Sequence, residues 1–64
     1  MLKVGHRVRL MGSKDLYRGR VVEIVPANGS ALVEWLNEDG RRDKVWQSML
    51  ELEVMPRPTI DGYL

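Results

Sequence analysis

Apolar and polar residues alternate in short runs along this chain, and turn-forming residues separate the runs. In Val4–Leu10, an in-out alternation puts Val4, Val8 and Leu10 on one face and Arg7 and Arg9 on the other. A polar stretch over 11–18 follows, and Gly19 marks a bulge or a tight start to the next run. Arg20–Val25 is rich in β-branched residues and reads as a strand that Pro26 ends. Pro26–Ser30 is turn chemistry, because Asn28-Gly29 accepts the positive φ of a tight hairpin. Ala31–Leu36 and Arg41–Trp46 read as two further strands around the turn Asn37–Gly40. Gln47–Met49 suits a single helical turn, and Leu50–Val54 closes the set with strict alternation. Only Trp46–Val54 could be continuously helical, and Leu50, Leu52 and Val54 fit a period of two better than 3.6.

The pattern therefore predicts an all-β fold, a small five-stranded barrel with one short helical turn before the last strand. Closure would remove the exposed edges that a small sheet must otherwise protect. The expected interior is Val8, Leu10, Val22, Ile24, Val33, Val45, Leu50 and Leu52. Residues 1–55 are expected to form the barrel and residues 56–64 an extended tail, since Pro56 and Pro58 cannot continue a ladder. Ile60, Tyr63 and Leu64 make that tail apolar enough to cover another surface.

Composition narrows the picture. Sixty-four residues make one domain, and a domain this small is marginally stable unless something adds to its core. Cysteine is absent and histidine occurs once, so no disulfide and no usual zinc ligand set is expected. No run approaches the ~20 apolar residues of a membrane span, and MLKVGHRVRL lacks the apolar stretch of a secretion signal. A cytoplasmic location with no membrane partner is the expectation. The net charge of +1 conceals an asymmetry: residues 1–20 hold six basic residues against Asp15, whereas residues 21–64 hold four against eight acidic ones. A local basic face is compatible with this; a uniformly basic coat is not.

The run Gly5-His6-Arg7-Val8-Arg9-Leu10 through Gly19-Arg20-Val21-Val22-Glu23-Ile24, continuing into Ala31-Leu32-Val33-Glu34-Trp35, resembles the KOW motif of ribosomal and transcription-elongation proteins. That resemblance implies an SH3-like barrel and an accessory role in nucleic-acid binding. Tyr17-Arg18-Gly19-Arg20-Val21 with Trp35 is also similar to Tudor domains, which hold methylated side chains in aromatic cages. Here Met11 stands where a cage aromatic is expected, and no aromatic lies beside Gly40. More remotely, the length and the Gly-x-Arg-Val-Arg start resemble plasmid-borne type II dihydrofolate reductases. Asp43-Lys44-Val45-Trp46 takes the place of their Val-Gln-Ile-Tyr segment, so the groups that hold cofactor and pterin are not reproduced.

Candidate chemistry is sparse. His6 has no nucleophile or carboxylate partner in sequence, and alternation places it beside Val4 and Val8 as a structural residue. Gly12 and Gly19 are isolated and open no helix, so no phosphate loop and no cofactor is expected, nor is catalysis. Glu51 and Glu53 fall on an outward face. The basic residues are the stronger signal: Arg7, Arg9, Arg18 and Arg20 would cluster if the first two strands pair, with Tyr17 beside them for base stacking. Arg41, Arg42 and Lys44 form a second group at a hairpin tip. The bland alternative is that these charges keep the domain soluble and pair with Glu23, Glu34 and Asp43 across strands. Trp35 shares parity with Ala31 and Val33. Trp46 lies opposite Val45 in parity and could present a docking surface beside arginine. A domain without phenylalanine nevertheless favours the core for both. The expected function is a non-catalytic binding module that docks to a protein partner or to itself. The alternative is binding of RNA or DNA through the arginine face.

Overall fold

Pro26 has no N–H to give to a ladder, and the β-branched segment before it ends there as expected. The computed structural model describes residues 2–14 and 16–56. Its strands are β1 (Arg7–Leu10), β2 (Gly19–Val25), β3 (Ser30–Leu36), β4 (Arg42–Ser48) and β5 (Leu52–Val54). Single 3-10 turns occupy Pro26–Asn28 and Met49–Glu51. The chain is all-β, and its strands form one antiparallel sheet in the order β4-β3-β2-β1-β5. Among the described residues β4 and β5 do not pair, so the ladder stays open and each is an edge. Apart from Pro56, the tail expected over 56–64 lies outside the described residues.

Two connections differ in detail from the pattern. The β2–β3 link is a 3-10 turn closed by Gly29 at φ 68°, a left-handed conformation that costs glycine little; Asn28 keeps a negative φ. The Asn28 side-chain oxygen instead accepts the Ser30 N–H at 3.1 Å. The turn before β5 begins at Met49 and not at Gln47, because Ser48 and Glu51 form a reciprocal capping box around it. Glu51 is thereby engaged with the Ser48 N–H at 3.3 Å.

The interior is Val8, Val21, Ala31, Val33 and Leu52, with Ile24, Trp35, Met49 and Val54 packed against it. Val8, Val33, Leu52 and Ile24 were expected there. Val22 was expected in place of Val21, and a β-bulge explains the exchange. Val21 pairs with Val33 but Glu23 pairs with Leu32, so β2 carries one extra residue at Val22. The bulge resets parity and lets Val21 and Ile24 both face inward. Leu50 is 89% exposed because it belongs to the 3-10 turn, not to β5. Leu10 is exposed at the end of β1, past the last β1–β2 pair, and Val45 is 44% exposed because β4 is an edge.

Trp35 lies across Gly19, its register partner. A Cβ on Gly19 would come within 2.6 Å of the Trp35 ring and 2.8 Å of the Val33 side chain. Gly19→Ala is therefore expected to cost about 1–3 kcal/mol by overpacking, read as a lower urea midpoint. In the Trp35→Leu background the same substitution should cost less, the Val33 contact remaining, and an equal loss in both backgrounds would refute the ring contact.

Candidate functional site

Alternation along β1, β2, β3 and β4 sends Val8, Val21, Val33 and Trp35 inward and leaves the opposite face to solvent. Register fills that outer face. Arg7 pairs with Arg20, Arg20 with Glu34, and Glu34 with Lys44, so these four side chains form one row across four strands. Leu36 pairs with Arg42 in the neighbouring row, and the Leu36 N–H donates to the Arg18 carbonyl at 3.1 Å. Arg7, Arg18, Arg20, Glu34, Leu36 and Arg42 line a shallow cleft of about 90 Å³. That is far below the several hundred Å³ of a small-molecule pocket.

The cluster is electrostatically unbalanced. Among the described residues the ion pairs are Arg9–Glu53 and Arg41–Asp39, and none involves Arg7, Arg18, Arg20, Arg42 or Lys44. Glu34 alone supplies negative charge within the row. Like charges placed directly opposite on neighbouring strands are destabilising, so the Arg7–Arg20 pair weakens the sheet unless an anion lies between them. Arginine's planar fork suits phosphate or carboxylate oxygens.

The residues expected to act together are divided by the fold. Arg7, Arg18 and Arg20 converge and are joined by Arg42, whose place in the cluster depends on the β3–β4 register. Arg9 is diverted to β5, where its Nε and Nη2 donate to Glu53 at 3.2 and 3.0 Å. Its guanidinium also sits 4.6 Å from the Tyr17 ring centroid, and the Tyr17 hydroxyl donates to Glu53 at 3.2 Å. Tyr17 thus has one face under Arg9. Arg41 stays at the hairpin tip with Asp39, a well-exposed pair at 3.6 Å. Trp46 is 51% exposed on the outer face, opposite Leu32, so the expectation of two core tryptophans is corrected for Trp46. Trp35 is the inward one, and its indole N–H donates to Gln47 at 2.7 Å. His6 accepts the Lys3 N–H on Nδ1 at 3.0 Å and closes a turn. The pattern names Glu34 only as one of three carboxylates opposite basic residues across strands; its central position between Arg20 and Lys44 follows from register, which no local signal in the sequence encodes. Glu53, expected on an outward face, is the half-buried acceptor for two side chains.

No helix among the described residues is long and apolar enough to cross a membrane. No protein-family model matches the chain, and searches of curated proteins and of solved structures also return no match.

The hydrogen bonds from Arg9, its charge and the Tyr17 hydroxyl hold the Glu53 carboxyl below its ordinary value of 4.5, against an opposing contribution from partial burial. A carboxylate whose folded pKa is depressed contributes stability that is present above the unfolded value and lost as pH falls through the folded one. The melting temperature of the wild type should therefore fall on acidification below about pH 4.5 more steeply than that of Glu53→Gln. Parallel curves for the two proteins would show that the Arg9–Glu53–Tyr17 contact does not couple to folding.

Proposed function

We propose that this chain is a non-catalytic binding module of the SH3-like, KOW-related type, and that its outer sheet face holds the phosphates of a single-stranded nucleic acid. The strand order, the loop between β1 and β2, and the 3-10 turn ahead of β5 support the SH3-like assignment. The observation that carries the functional reading is the Arg7–Arg20 cross-strand pair, widened by Arg18, Arg42 and Lys44 and offset by Glu34 alone. A sheet that places five cations around one carboxylate gains most from a ligand with several negative charges. Trp46 on the same face adds a π surface two residues beyond Lys44, in the position of a base-stacking platform. The engagement of His6 in a turn agrees with a non-catalytic role.

Docking to a protein is a second reading, favoured by the exposure of Trp46, since exposed tryptophan beside arginine is the composition of an interface hot spot. The aromatic cage of Tudor domains gains no support from the geometry, because Tyr17 is covered on one face by Arg9. The Lys44 and Trp46 side chains share the outer face, whereas Val45 pairs with Val33 on the inner one.

Fluorescence anisotropy with a short labelled single-stranded oligonucleotide separates these readings. Binding should weaken steeply between roughly 50 and 200 mM salt, and Arg7→Ala or Arg20→Ala should each lower the salt slope by about 0.7. Glu34→Gln should tighten binding, and Arg41→Ala, whose side chain is paired with Asp39, should leave it unchanged. Absence of binding at low salt would overturn the nucleic-acid reading. An equal loss from Arg41→Ala and Arg20→Ala would overturn the assigned face.

A further inference from the structure

β4 is the longest exposed edge in the sheet. Its seven residues pair with β3 on one side, and among the described residues nothing pairs with the other. An unpaired edge of this length presents a row of N–H and C=O groups to any extended segment that can align with it. Val45 and Trp46, at its centre, are half exposed on opposite faces. A domain of this size also gains most from oligomerisation, having no disulfide to supplement its core.

The distribution of charge along β4 selects the occupant. Arg42, Asp43 and Lys44 fill the first half of the strand, and Val45, Trp46, Gln47 and Ser48 are uncharged. A parallel in-register neighbour would set Arg42 on Arg42, Asp43 on Asp43 and Lys44 on Lys44, each a repulsive contact. An antiparallel copy related by a two-fold axis at Val45 does the reverse. It sets Val45 against Val45, Lys44 against Trp46, Asp43 against Gln47 and Arg42 against Ser48, and uses all seven residues. Moving the axis to Lys44 or Asp43 puts like charges face to face. Moving it to Trp46 shortens the overlap and runs Asp43 into the capped 3-10 turn. The two-fold also keeps inward residues opposite inward ones, so Val45, which faces the side of Val33, meets its equivalent on that side.

We propose that β4 is a homodimer edge, and that two copies of this chain join antiparallel about Val45 into one continuous sheet. The charged half of the strand acts as a register selector: it repels stacking of identical segments and admits the two-fold pairing. Lys44 lies over the indole of the partner's Trp46, and the outer faces of the two protomers become continuous. This inference does not depend on nucleic-acid binding.

The chain has no cysteine, so introduced thiols are unambiguous probes. Sedimentation equilibrium of the wild type at up to millimolar concentration should show a monomer–dimer equilibrium. Val45→Cys should form an intermolecular disulfide on mild oxidation, because residues facing each other across the axis have Cα atoms about 4.5–5.5 Å apart. Lys44→Cys, whose partner is Trp46, should not. Trp46→Lys places two like-charge pairs across the interface and should weaken the dimer roughly tenfold, while Trp46→Glu places two opposite-charge pairs and should preserve or tighten it. Circular dichroism melting of each variant establishes that it folds. A wild type that remains monomeric, a dimer in which Lys44→Cys cross-links and Val45→Cys does not, or equal weakening by Trp46→Lys and Trp46→Glu in folded proteins would each overturn the proposal.

Discussion

The contact on which the sheet is organised is the Trp35 indole packed against Gly19, where no side chain intervenes. It fixes where β2 begins, since only a glycine admits the ring at that register position. Val8 pairs with the same glycine from β1, so the contact joins three strands at one point. The indole N–H reaches Gln47 on β4 and brings in a fourth. With few large side chains and a core of Val, Ala and Leu, the ring supplies much of the apolar area that orders the centre of the sheet.

The bulge at Val22 follows from the same economy of apolar groups. In strict alternation Val21 and Ile24 would face opposite sides, and one of them would be lost to the interior. One extra residue on β2 returns both inward and sets Glu23 against Leu32 on the outside. Val22, the bulged residue, is left partly exposed.

Charge is treated differently at the two ends of the sheet. Where β1 meets β5, Arg9, Glu53 and Tyr17 satisfy one another in a compact, half-buried contact. Across β1, β2, β3 and β4, five cations surround Glu34 without an ion pair among the described residues. The first arrangement pairs its charges within the chain, and the second has no ion pair among the described residues. This contrast separates Arg9 from Arg7 although the two share a face of one strand.

The all-β character, the five extended segments and the positions of the turns were legible in the residues themselves. Alternation, β-branching, Pro26, Asn28-Gly29 and Asn37–Gly40 are local properties, and each acts within a few positions of chain. The inward placement of Trp35 followed from parity in the same way. The convergence of Arg7, Arg18, Arg20 and Arg42 on Glu34, the diversion of Arg9 to Glu53, and the open edge that leaves Val45 and Trp46 exposed were decided only by tertiary structure. Register sets Arg7 against Arg20, thirteen positions apart, and Arg9 against Glu53, forty-four positions apart. It is set by one bulge and one ring over a glycine, contacts that leave no trace in the period of the pattern.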